Sequence, residues 1–284
     1  MTAAGGAATG GNPKRLRQLT ANLLGTLATL IRKPRAIDGR RPSWPSLGQL
    51  CVGALIMIAA VAAAIMFLDD RLTHVARTLP QWLVATFDEI TDFGKSGWFL
   101  MPAGFLLIVI AAAGIRQLPH FTRMVLAALT VRFGFLFLAI GIPGLFVAII
   151  KRIIGRARPF VGEDGGTLVF MPFIWRSEYA SIPSGHGTTA FAAAIAIGAL
   201  WPRTRAIMWI YALLIAVSRV VITAHYPSDV IASAFFGILG AILVRNWFAV
   251  RRLGFVVDTH GKVHALQGPS WRRVKAVARR LLNA

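Results

Sequence analysis

Three short polar stretches interrupt an otherwise apolar chain, and each carries side chains suited to an anion. KRIIGRARPF (151–160) places Lys151, Arg152, Arg156 and Arg158 close together, directly after the apolar run LFVAII (145–150). Lys151 and Arg158 stand nearly in phase on an ideal helix, but Gly155 and the restriction that Pro159 imposes on Arg158 predict that the chain unwinds here. In IPSGHG (182–187), Pro183 and Ser184 are helix-start residues and Gly185 lets a ligand approach the backbone. A helix N-terminus there would offer free N–H groups to phosphate, with His186 in its first turn. In SRVVITAHYPSD (218–229), Arg219 supplies a bidentate fork, and His225 precedes Asp229 by four residues. A carboxylate on one ring nitrogen would leave the other free as a nucleophile. Each stretch taken alone also has a plainer reading: a headgroup anchor, a hydrogen-bonded interfacial histidine, and a His–Asp pair capping a helix.

The elements that must position these residues are membrane spans. Of 284 residues, 56% are hydrophobic, which is too apolar for an ordinary soluble domain. Windows near the roughly 20 residues needed to cross the hydrocarbon fall at 50–68, 98–115, 124–150, 187–201, 206–223 and 229–248. The predicted fold is therefore all-α, a polytopic membrane bundle of six helices with short amphipathic interfacial segments. The fourth helix is short and is expected to begin inside IPSGHG.

Lysine and arginine accumulate on the cytoplasmic side of membrane proteins. Residues 1–49 carry eight basic residues against Asp38 alone, whereas the 69–97 loop holds Asp69, Asp70, Asp88, Glu89 and Asp92. With simple alternation both termini are cytoplasmic, and all three polar stretches fall at outer helix ends. The cations of 151–158 are then a local exception to the charge rule. Because a mid-membrane Arg or Lys costs about 2.5–3.5 kcal/mol, they must face something anionic at an interface or in a wet cavity.

The flanks read as accessories. Residues 13–31 suggest an interfacial helix with Leu16, Leu19, Leu23, Leu27 and Leu30 near one face, 252–266 a small hairpin, and 270–282 a cationic amphipathic helix. The division is thus 1–49 basic segment, 50–248 membrane domain and 249–284 basic tail. The net charge of +20 is read as topological anchoring beside spans, with no nucleic-acid partner. Cys51, the single cysteine, lies in an apolar run and is expected to pack there. No cleavable leader is expected, since the first long apolar run starts near residue 50. Arg132, within the third span, is a functional candidate by position.

The pattern K-x6-R-P from Lys151, the run P-S-G-H ending at His186, and S-R-x5-H-x3-D from Ser218 to Asp229 resemble, in every fixed position, the three-part motif of the type 2 phosphatidic acid phosphatase superfamily. The resemblance covers about residues 50–248. It implies that His225 attacks phosphorus to form a phosphohistidine, that Asp229 holds it, and that His186 protonates the leaving oxygen. Lys151, Arg158 and Arg219 would bind phosphate oxygens, helped by Ser184 and the Gly185 amide. It implies no metal and no cofactor. Arg152 and Arg156 are not fixed in the motif and are left as headgroup contacts. The expectation is a lipid phosphatase on the periplasmic face of a bacterial inner membrane, acting on phosphatidylglycerol phosphate, phosphatidate, undecaprenyl diphosphate or the phosphate of lipid A. The aromatic loop 169–179 would sit at the interface over the site. A phosphotransferase and a non-catalytic lipid-phosphate binder or transporter are the competing readings.

Overall fold

A computed structural model describes residues 42–113, 118–161 and 166–283, with scattered positions between 17 and 34. Ser46 opens the first helix with a capping box to Gln49, and α1 (Leu47–Ala64) then passes through a π-helical turn, Ile65–Asp69, into α2 (Asp70–Arg77). After a short turn come α3 (Gln81–Asp92) and α4 (Gly97–Ala112), then α5 (His120–Ile154), α6 (Gly185–Leu200), α7 (Arg205–Val221) and α8 (Pro227–Val250). The chain ends in a hairpin of β1 (Phe255–Val257) and β2 (Val263–Ala265), followed by α9 (Trp271–Leu282).

Five described helical stretches are long and apolar enough to cross a membrane: Leu47–Arg77, Gln81–Ala112, His120–Ile154, Pro202–Val221 and Pro227–Val250. The sixth expected span is α6, whose 16 residues reach only about 24 Å at 1.5 Å each. Its short length is tolerable because it is the central helix: Ala190, Ala192, Ala193 and Ala196 are fully buried, and α5, α7 and α8 pack around it. Small residues permit this. A Cβ on Gly237 would lie 2.6 Å from the Thr188 carbonyl, and one on Gly187 would strike Ser233.

The acidic stretch expected as a loop over 69–97 is instead helical, because α2 and α3 each have one face to bury. Thr73 and Ala76 of α2, and Thr91 of α3, are buried, and both helices pack on α7. The hairpin and tail helix form where the sequence places them. Phe255 stacks edge-on against Phe135, 4.8 Å between centroids, so the hairpin closes the main core. Val277 of α9 packs on Ile110, Val125 and Leu126. The helix expected over 13–31 lies largely outside the described residues, but Leu30 is buried in the core against Gly134. One expectation is corrected. Cys51 is exposed on the outer surface of the bundle rather than packed. Arg132 donates to the Ala128 carbonyl at 3.0 Å and to the Leu266 carbonyl at 2.7 Å, so it staples α5 to the end of the hairpin.

Candidate active site

Helix ends gather the three polar stretches at one end of the bundle. α5 stops at Ile154 because Gly155 takes a left-handed conformation, φ +64°, and a Cβ there would collide with the Met171 carbonyl. Lys151 therefore sits on the last helical turn and Arg158 in the loop beyond it. That loop is laced to residues 169–181: Ala157 N–H donates to Val169 O (2.9 Å), Arg158 N–H to Glu178 O (2.8 Å) and Ser181 N–H to Arg156 O (3.1 Å). Ser184 caps α6, its hydroxyl accepting from Gly187 N–H. Lys151 Nζ lies 4.0 Å from where a Cβ on Gly185 would sit, so the first two stretches meet at the α6 N-terminus.

The third stretch completes the cluster. His225 is buried, and burial holds its imidazole below the ordinary histidine range, with Asp229 opposing and the Arg219 and Arg158 charges reinforcing. At neutral pH the ring is therefore uncharged. The fields of Arg219 and His225 also reach His186, and that of Arg158 reaches Lys151. Arg219 donates through Nη1 to Thr91 Oγ1 at 2.9 Å. Its Nε, and that of Arg158, are buried without a hydrogen-bond partner among the described residues. Buried donors left open cost free energy unless something accepts from them, and an oxyanion between these two guanidinium groups would do so.

The link between His225 and Asp229 differs from a direct hydrogen bond. His225 Nδ1 lies 3.6 Å from Asp229 Oδ2. Ser181 Oγ donates to that same oxygen at 2.5 Å and lies 3.5 Å from Nδ1. Asp229 also caps α8, accepting from Tyr226 N–H at 2.9 Å. The capping and His-holding readings of this residue are therefore compatible. Since Nδ1 faces Ser181 and Asp229, Nε2 is the nitrogen available to phosphorus.

Arg156 is the largest correction. It is fully buried rather than a headgroup contact, with Nη1 2.7 Å from Asp229 Oδ1 and Nη2 2.8 Å from Asp69 Oδ2. Its guanidinium stacks 4.4 Å from the centre of the Tyr226 ring. Asp69, read as a loop acid, enters the interior on the π turn and accepts from Ser228 N–H at 2.9 Å, at the start of α8. Arg152 is also not placed as a headgroup ligand: its Nη1 donates to Arg176 O at 2.7 Å.

A cavity of about 490 Å³ opens beside the cluster between α4, α5 and α6. Lys95, Lys151, Gly185 and His186 line its polar end, and Leu100 and Leu145 line its apolar side. Lys95 pairs with Asp92 at 2.8 Å. Gly94 has no room for a Cβ between Ile215 and the His186 ring, so the α3–α4 turn presses on that imidazole. Sequence reading did not single out Asp69, Thr91, Gly94 or Ser181. Their partners are remote in the chain, and only the placement of Asp69 at the end of an apolar run hinted at burial.

The family model of the PAP2 superfamily matches residues 132–253. The chain is 36% identical over 208 residues to a lipid A 1-phosphatase of Rhizobium etli, covering 72% of this chain and 84% of the relative. It is 39% identical over 162 residues to a lipid A 1-phosphatase of Rhizobium johnstonii, covering 56% of this chain and 66% of that one. Among solved structures, it is similar to a transmembrane PAP2-type phosphatidylglycerolphosphate phosphatase from Bacillus subtilis, with 22% identity, coverage of 69% of this chain and 94% of that chain, and a TM-score of 0.49.

Proposed function

The chain belongs to the PAP2 superfamily and is a multi-pass bacterial membrane phosphatase acting on lipid phosphates, and from that premise we propose that it hydrolyses a phosphate monoester of lipid A, releasing free phosphate at the periplasmic face of the inner membrane through a phosphohistidine on His225. The observation that carries the mechanism is the pair of buried Nε groups of Arg158 and Arg219, without a partner among the described residues, beside a buried neutral His225. The names of the two Rhizobium relatives favour lipid A among the four candidate lipids. The cavity with a cationic end and an apolar side suits an amphiphilic substrate.

In the first step His225 Nε2 attacks phosphorus, and the phosphorus–oxygen bond to the lipid breaks. The leaving oxygen takes a proton from His186. In the second, water attacks the phosphohistidine while His186 takes the water's proton, releasing phosphate and restoring Nε2. Lys151, Arg158, Arg219 and the α6 N-terminus bind the phosphoryl oxygens, and donors aimed at developing charge contribute about 3–4 kcal/mol each. Asp229 and Ser181 fix the His225 ring. The residues need no metal for this route.

The test is free-phosphate release by the purified chain across lipid A, phosphatidate, phosphatidylglycerol phosphate and undecaprenyl diphosphate, with and without a chelator. Release from lipid A that persists in chelator and vanishes in His225→Asn is expected. Chelator-sensitive release would contradict the mechanism, and transfer of phosphate to another alcohol with little free phosphate would replace hydrolysis by phosphotransfer.

A further inference from the structure

A second cavity, of about 510 Å³, lies at the end of the bundle opposite His225 and shares no lining residue with the catalytic cavity. Along α6, Gly198 on its wall is twelve residues from His186, about 18 Å at 1.5 Å per residue. Its polar lining is basic: Arg205 from the start of α7, Arg245 from the end of α8, and His260 and Lys262 from the hairpin turn. No carboxylate pairs with Arg205, Arg245 or Lys262 among the described residues. Asp258, the acid of the hairpin, is turned to other partners, accepting from His260 N–H and Lys262 N–H at 2.9 Å each and lying 2.8 Å from His264 Nε2.

Each of the two arginines is tethered by a hydrogen bond, Arg205 at an exposed position and Arg245 at a half-buried one. Arg205 donates through Nε to the Gly198 carbonyl at 3.1 Å, and a Cβ on Gly198 would lie 3.0 Å from Arg205 Cγ, so the glycine makes room for the side chain to lie across α6. Arg245 donates to Asn246 Oδ1 through Nη2 (2.9 Å) and Nε (3.2 Å). The buried amide of Asn246 also donates to Ser43 O at 3.2 Å, and Ser43 N–H to Gly261 O at 3.1 Å, which clamps the hairpin over the opening. Arg205 and Arg245 line the same cavity. Holding like charges beside one cavity is unfavourable unless an anion sits between them.

We propose that this cavity binds the phosphate of an anionic phospholipid headgroup. A lipid is favoured over a soluble phosphate by the remaining walls: Trp209, Ala194, Ile195 and Ala199 belong to helices at the end of their membrane path, where indoles mark the interface. Basic pockets between spanning helices on the side facing anionic lipid are suited to phospholipid headgroups. The volume falls in the range of small-ligand sites. The hairpin lies beyond the matched 132–253 segment, so this site is built partly from chain outside the shared catalytic unit.

The full-length chain in neutral detergent is titrated with phosphatidylglycerol, phosphatidylcholine or inorganic phosphate, and bound lipid is read by native mass spectrometry alongside the melting temperature. Phosphatidylglycerol should bind and raise the melting temperature, and phosphatidylcholine should not. Removing one cation, in Arg205→Gln or in Lys262→Gln at an exposed position outside the core, should weaken that binding about tenfold, while Arg219→Gln at the catalytic end leaves it unchanged. Equal binding of both lipids, or loss only in Arg219→Gln, overturns the proposal. Stabilisation by inorganic phosphate alone, abolished in the same two variants, would overturn the lipid assignment in favour of a soluble anion.

Discussion

Arg156 pairs with two carboxylates at once, one of them the Asp229 that faces His225, so it supports the orientation of that ring through its partner. With Asp69, Arg156 and Asp229 all fully buried, removing one partner leaves a charge without compensation, at a cost of about 3–5 kcal/mol. Arg156→Met should therefore lower the melting temperature and abolish turnover together. Asp69→Asn is the more informative change, since it keeps the shape and removes one negative charge from the neighbourhood of His225. Less negative charge disfavours protonation of the ring, so the acid limb of the pH–rate profile should move to lower pH as kcat falls. In the wild type that limb should already lie below the ordinary histidine value of about 6.5, because burial depresses the His225 pKa. The nucleophile is active above that limb and is lost as pH falls through it. A profile in Asp69→Asn superimposable on the wild type, with only stability reduced, would make Asp69 structural alone.

At the scale of elements, the site depends on how helix ends are stopped and how closely helices approach. Gly155→Ala forces a side chain into a left-handed position against the Met171 carbonyl, and left-handed backbone alone costs about 1–2 kcal/mol for a residue with a Cβ. The displaced segment carries Arg156 and Arg158, so phosphate release should fall more than stability does. Gly144 behaves oppositely: it lines the catalytic cavity, and a Cβ there meets nothing within 4 Å. Gly144→Leu should keep the wild-type melting temperature while raising KM for lipid A, because the new side chain fills space that substrate needs. The fixed motif positions and the start of α6 were legible in sequence, since Ser184, Gly185 and Gly155 carry local backbone signals. The hairpin was legible from its alternation. Asp69 was not, because nothing local marks the π turn that aims it inward or its pairing with Arg156, 87 positions away. Helices α2 and α3 were missed for a related reason: their acidic faces lower the mean hydropathy, and their buried faces acquire meaning only against α7.

For the whole molecule, orientation in the membrane is an expectation drawn from charge and carries its own test. Trp175 in the aromatic loop is 83% exposed at the catalytic end, and Lys262 is exposed in the hairpin at the other. In a Cys51→Ser background, Trp175→Cys should react with a membrane-impermeant maleimide added to intact cells, and Lys262→Cys only after lysis. The reverse pattern would place the site in the cytoplasm. The same bundle keeps Lys151, Arg158, His186, Arg219 and His225 at one end and Arg205, Arg245 and Lys262 at the other, so the two anion-handling regions can be perturbed separately. The most direct measurement on the catalytic end is covalent. Lipid A labelled with radioactive phosphorus is mixed with the purified chain, the reaction is quenched in alkali, and the protein is mapped by mass spectrometry. An acid-labile, alkali-stable phosphoryl group on His225, absent in His225→Asn, is the expected result. Full turnover with no such adduct under rapid quench, or an adduct on another residue, would contradict the proposed nucleophile.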